Sequence, residues 1–275
     1  MINTHNDALI ANYGTFLVAP RDSLEHANTA PFGLEIDWHI DPLRAGSGHF
    51  LDMLQTLDGL TFGPEGMPMD KWVFYDCSEL PGFIYGFATP ASALSAEERQ
   101  LFKVEETYTG PVPLSMYIAI PMVEPGAWFG HNLASLNRVL PHRELHHLGT
   151  ITKALALKAY RVERFVGATQ WTSKALFIHT KFGPLELLTT YTPAHSIHET
   201  LTYAFDVSDD SLKAAYGDPS TALRRPTPDL HLSSEDVESM KAMQAELEAG
   251  AKYTLCGAAE ARGDALHHPI VRVAL

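Results

Sequence analysis

Residues 139–183 hold the groups in this sequence whose types and spacing could do chemistry. The stretch opens Val139-Leu-Pro-His-Arg-Glu-Leu-His-His-Leu-Gly149-Thr150 and continues into an amphipathic segment. It then reads Phe165-Val-Gly-Ala-Thr-Gln-Trp171 and Thr172-Ser-Lys-Ala175-Leu-Phe-Ile-His179-Thr-Lys-Phe182-Gly183. The pattern predicts a strand end, a loop, a helix, a strand and a second helix. A strand that feeds a helix through such a loop presents backbone N–H groups to a phosphate. Ile151, Ala154, Leu155 and Ala159 recur at helical spacing and give that helix one buried stripe.

Histidine offers a second chemistry. The chain has 14 histidines, densest at His146-His147, at His195 and His198, and at His267-His268. A His-x-x-His pair on a loop can chelate a metal ion, but adjacent histidines on a strand or helix point apart. No Glu-x-x-His or His-Glu-x-x-His pattern accompanies them, so no metal ligand is assigned. There is no Gly-x-Ser-x-Gly elbow and no dinucleotide-binding fingerprint. Cys77 and Cys256 stand far apart and form neither a redox nor a metal motif.

The elements that must position these groups follow from periodicity. Residues 1–30 read as an irregular lead-in, and 31–40 alternate as a strand through Phe32, Leu34, Ile36, Trp38 and Ile40. Residues 49–60 have helical spacing through Phe50, Met53, Leu54 and Leu57. Two strands are expected at 71–77 and 83–89, joined across 78–82. A short helix is expected at 95–102, with Ser95 as N-cap and Glu98 as its capping-box partner. Further strands are expected at 114–122, 128–140, 185–192 and 200–207, and a charged, capped helix at 233–247. The fold class is therefore α+β: a mixed, mostly antiparallel central sheet flanked by helices, with a C-terminal helical extension. The expected divisions are a lead-in over 1–30, a main domain over 31–207 and the extension over 208–275.

The core of this pattern resembles the acyl-CoA N-acyltransferase (GNAT) superfamily. The resemblance covers about residues 114–207 and is carried by Val139, Pro141 and Leu148-Gly149-Thr150, then by Phe165–Trp171, Ala175, Ile178, His179 and Phe182-Gly183. It implies an acyltransferase that moves a short acyl group from acyl-CoA, as co-substrate, to a small-molecule amine by direct attack. It implies that Arg143 and the backbone of His147, Leu148, Gly149 and Thr150 hold the pyrophosphate. Gly167, Ala168 and Thr169 would hold the pantetheine by strand-like hydrogen bonds. His179 falls where the family has a tyrosine that protonates the departing thiolate, and an imidazolium can deliver a proton as well. Such a reaction also needs a base for the amine. Strand alternation puts His131, Leu133, Ser135 and Asn137 on one face, with His131 the first candidate base and Glu124 and Glu35 weaker ones. Trp38, Trp72, Tyr75, Tyr117 and Trp128 are candidates for an apolar or aromatic acceptor pocket.

Bulk properties limit the partners. The formal charge of −13 argues against a nucleic-acid partner. No apolar run approaches the roughly 20 residues of a membrane span, and the start carries no secretory pattern. A cytoplasmic protein with no membrane partner is expected, and the extension could pack against a second copy in a homodimer. Three alternatives stay open: a non-catalytic member of the fold, a decarboxylating one, and a His-based metal-dependent enzyme. An acyl carrier could also replace coenzyme A as donor.

Overall fold

A computed structural model describes residues 4–79 and 82–274. Its chain divides into two compact units, Met1–Val162 and Glu163–Leu275. That division falls inside the span 31–207 expected as one domain. Both units are α+β, and their sheets are mostly antiparallel, as the periodicity requires.

The first unit runs α1 (Thr4–Asn12), β1 (Gly14–Val18), β2 (Trp38–Ile40), α2 (Gly48–Phe62), α3 (Lys71–Glu79), β3 (Phe83–Pro90), α4 (Ala96–Leu101), β4 (Pro111–Pro113), β5 (Ser115–Pro121), β6 (Ala127–Ser135) and α5 (Leu148–Ala159). Its strands pair in the order β6, β5, β3, β1, β2, with β4 on β3. Only β1 and β2 run parallel. One face of the sheet meets α5, where Ser115 Oγ lies 2.7 Å from Thr152 Oγ1. The other face meets α2, where Asn132 Nδ2 donates to Asp58 Oδ1 at 2.7 Å. Phe50, Leu51, Met53, Leu54 and Leu57 supply the buried side of α2.

Several expectations need correction here. The lead-in is not irregular: it holds α1 and β1. The strand expected at 31–40 shortens to Trp38–Ile40. Phe32 takes a left-handed backbone (φ 54°), which breaks the alternation. Segment 71–77 is helix α3, not a strand, because Phe74, Cys77 and Ser78 form one buried helical face. Leu80 and Pro81, in the expected connection 78–82, lie outside the described residues. Strand 128–140 stops at Ser135, where Leu136 O accepts from Val139 N and Leu140 N and turns the chain. The α4 capping box stands as expected: Ser95 Oγ accepts from Glu98 N, and Glu98 Oε2 accepts from Ser95 N at 2.8 Å.

The second unit runs β7 (Arg164–Gln170), α6 (Ala175–His179), β8 (Leu185–Thr189), β9 (Thr200–Asp206), α7 (Asp209–Tyr216), β10 (Leu230–Ser233), α8 (Val237–Glu248), β11 (Lys252–Leu255), β12 (Glu260–Arg262) and β13 (Ala265–Val273). Antiparallel pairing gives the order β7, β9, β8, β11, β13, β10, with β12 on β13. The C-terminal extension is thus more than one helix. It holds α7 and α8 and continues the sheet through β10, β11, β12 and β13. Trp171 ties it in. The indole Nε1 donates to Thr190 O at 2.9 Å, Thr190 Oγ1 donates to Met240 O of α8 at 2.8 Å, and His268 Nε2 of β13 donates to Trp171 O at 2.8 Å. Among the described residues no helix is long and apolar enough to cross a membrane.

Candidate active site

In the first unit α3, the residue before β3, the end of β5 and the middle of β6 line a cavity of about 270 Å³. Its lining is Trp72, Val73, Asp76 and Cys77 from α3, with Gly82, Ile120 and His131. The helical form of α3 makes this possible. Trp72 and Asp76 are four residues apart, as are Val73 and Cys77, so each pair stands on one side of the helix. Gly82 is needed because a Cβ there would run into the Cys77 carbonyl.

His131 reaches the cavity through a β-bulge. On β5 the neighbours Ile118 and Ala119 face Asn132 and Gly130, so His131 is an extra residue outside the ladder. Regular alternation would place it with Leu133, towards α5. The bulge places it beside Ile120, on the α3 side. The expected set of His131, Leu133, Ser135 and Asn137 on one face is therefore not realised, and Asn137 lies beyond the strand.

Below the bulge sits a carboxylate. Asp58 is fully buried; Oδ1 accepts from Asn132 Nδ2 at 2.7 Å and Oδ2 accepts from Met69 N at 2.6 Å. Burial pushes the Asp58 pKa above its ordinary 3.8, opposed by these hydrogen bonds and by His131. Partial burial pushes His131 below its ordinary 6.5, and the Asp58 charge pulls it back. His131 is thus set up as a neutral base whose cationic form Asp58 supports. Cys77 shares the cavity, but burial, aided by Asp76, raises its thiol to about 11. It is a neutral thiol at ordinary pH, not an activated nucleophile.

Sequence reasoning missed Asp58, although it left a signal: Asp58 sits at a core position of α2, four residues after Leu54. Of the expected aromatic set only Trp72 lines the cavity. Trp38 packs over Gly14, Tyr117 is buried, and Trp128 makes an edge contact with Tyr160. Glu124 is exposed at a bend, and Glu35 is exposed before β2 and not on the strand.

The loop before α5 is fixed by an ion pair. Arg143 donates to both Glu98 oxygens, at 2.6 Å for Nη2 to Oε2, and to Ala93 O at 2.8 Å. Chiefly through Arg143, the buried Glu98 carboxyl falls to about 2. Arg143 therefore anchors the loop to α4. His147 takes a left-handed backbone (φ 71°) immediately before helical Leu148. Leu148 N donates to Leu145 O at 3.1 Å, so that amide is already engaged. Gly149 and Thr150 follow in the first turn, where amides have no acceptor within the helix. Leu148, Gly149 and Thr150 are buried. His5 of α1 donates to His146 O at 2.9 Å and stacks on the His146 ring at 3.6 Å.

The remaining expected residues belong to the second unit. Gly167 lies opposite Tyr203 of β9, and a Cβ at Gly167 would meet the Tyr203 hydroxyl. His179 closes α6 and is buried, its ring 5.2 Å from that of Tyr203 and 6.3 Å from that of Phe165. His195, His198 and His268 are held by separate hydrogen-bond partners. Among the described residues no group of three or more His, Cys, Asp or Glu could hold a metal ion.

No protein-family profile matches the sequence, and no curated protein does. Solved structures do. The chain is similar to aminoglycoside 6'-acetyltransferase type Ii at 13% identity and a TM-score of 0.39, over 61% of this chain and 94% of that one. It is similar to the ribosomal-protein-S18-alanine N-acetyltransferase from Escherichia coli at 12% identity and a TM-score of 0.33, over 60% and 91%. It is also similar to a probable acetyltransferase (GNAT family) from Chromobacterium violaceum ATCC 12472 at 15% identity and a TM-score of 0.34, over 60% and 84%. All three are acetyltransferases by name. What this chain does must follow from its own residues.

Proposed function

We propose that this protein is an acyltransferase that moves a short acyl group from acyl-CoA to a small-molecule amine by direct attack. The observation that carries the reading is His131, held outside the β5–β6 ladder at a cavity, with the buried Asp58 carboxylate acting on it. In the reaction the amine nitrogen lone pair forms a bond to the thioester carbonyl carbon. His131 takes the proton that the nitrogen loses. The carbon–sulfur bond then breaks, and the electron pair leaves with sulfur. The thiolate takes up a proton from solvent, so the products are an amide and free coenzyme A thiol.

Main-chain amides of His147, Gly149 and Thr150 at the start of α5 would hold the pyrophosphate, on a loop that Arg143 keeps in place. The raised pKa of Cys77 supports attack without a covalent enzyme intermediate.

A second reading has an observation of its own. The first turn of α5 is buried, which favours a non-catalytic protein that binds a small molecule without using an acyl donor. Thiol release from acetyl-, malonyl- and long-chain acyl-CoA, with and without a panel of amines, separates the two. Amine-dependent release that His131→Ala abolishes supports transfer. Amine binding without release from any donor supports the second reading.

A further inference from the structure

We infer that the molecule bound in the α3 cavity is a small primary amine with a flat apolar body, an arylalkylamine in chemical class. This rests on the acyl-transfer reading for its role as acceptor, but its recognition is argued from the cavity alone.

Size comes first. At about 270 Å³ the cavity falls just below the range of about 300–1,000 Å³ that holds drug-sized ligands. Its lining then selects the chemistry. Trp72, Val73, Cys77, Gly82 and Ile120 offer apolar surface, whereas among the described residues polar groups come from Asp76 and His131. A polyhydroxylated amine would leave several hydroxyls without partners, which weakens its binding. Among the described residues no lysine or arginine lines the cavity, which disfavours an anion.

Trp72 gives the shape. Its side chain is among the exposed large hydrophobics, at 61%. An indole left open beside a cavity offers a flat face to a ring or a cation. Asp76 stands one helical turn along, so its carboxylate lies near whatever covers the indole. A ring on Trp72 would place a short-chain ammonium between Asp76 and His131. The acidic chain, at −13, favours the approach of such a cation.

Titration of the purified protein with 2-phenylethylamine, followed calorimetrically without any acyl donor, tests this. Parallel titrations use 2-phenylethanol, which lacks the charge, and kanamycin, which is a cationic polyol. Expected is saturable binding of the amine, about tenfold tighter than the alcohol, and no matching binding of kanamycin. Trp72→Ala should weaken the amine about tenfold, the scale of one aromatic contact of about 1.4 kcal/mol, and Trp72→Phe should restore most of it. Asp76→Asn should narrow the gap between amine and alcohol. Circular dichroism checks that these exposed positions leave the fold intact. Equal binding of amine and alcohol, tighter binding of kanamycin, or binding insensitive to Trp72 would overturn the inference. If the amine binds as described and no acyl-CoA is consumed, the transfer reading fails and this one stands. If transfer proceeds with Trp72→Ala unaffected, the reverse holds.

Discussion

The two units treat histidine in opposite ways. In the first, His131 is displaced from its ladder, exposed, and set beside a cavity and a buried carboxylate. In the second, His268 is almost fully buried, donates to Trp171 O and packs edge-on against the indole. Burial lowers the pKa of both. The consequences differ because a proton can reach His131 while the unit stays folded, whereas charging His268 works against the packing around it. The same side chain is therefore open to a ligand in one place and a fastener in the other. His179, buried beside Tyr203 and Phe165, has the surroundings of the second kind.

The sharpest way to break this contrast is His131→Ala. Loss of a general base costs about 10²–10⁴ in rate, so kcat/KM for acyl transfer should fall by about a thousandfold. Thermal unfolding should barely move, because the residue lies outside the ladder. A large drop in Tm with the rate intact would make His131 a fastener too.

Next comes the pH dependence of stability. The folded pKa of His268 is pushed down to about 4 from 6.5, so its contribution is complete above 6.5 and is lost as pH falls towards 4. A difference of about 2.5 units corresponds to about 3 kcal/mol. Denaturant melts between pH 7 and 4 should show that loss, and His268→Gln should flatten it. Glu98 behaves likewise in a lower window, its contribution present above 4.5 and lost towards about 2. Glu98→Gln leaves Arg143 without its charge partner and should cost about 3 kcal/mol at neutral pH, read from the same melts.

A smaller effect sharpens the role of the cavity. The acidic limb of kcat/KM should lie below pH 6.5, since His131 loses activity only as it protonates. Removing the Asp58 charge with Asp58→Asn should move that limb further down, because Asp58 holds the His131 pKa up. An unmoved limb would separate the two groups. The smallest effect is expected of Cys77→Ala, which should change the rate less than tenfold and leave it insensitive to thiol reagents, as befits a neutral thiol.

Much of the fold was legible where one periodicity ruled. The α2 stripe, the Ser95 and Glu98 capping box and strands β3, β5 and β9 followed from spacing and cap chemistry. The exceptions have physical causes. In α3 the run Trp72-Val-Phe-Tyr75 favours a strand by intrinsic preference, but burial of Phe74, Cys77 and Ser78 settles it as helix. The short strands β10, β11 and β12 are too brief, and the longer β13 is too interrupted by His and Pro, to show alternation. His131 was legible as a residue but not in its direction, since no pattern in 128–140 announces the bulge. Asp58 was an acid inside an apolar stripe, a signal of the kind that marks a group with work to do.

The bulge has one more consequence. A residue that pairs with nothing can be exchanged without disturbing its neighbours, so position 131 is a socket in an otherwise fixed frame. If the acyl-transfer proposal holds, replacing one side chain there would turn a catalyst into a plain receptor for the same small molecule. The distance between doing chemistry and merely recognising a ligand would then be a single substitution.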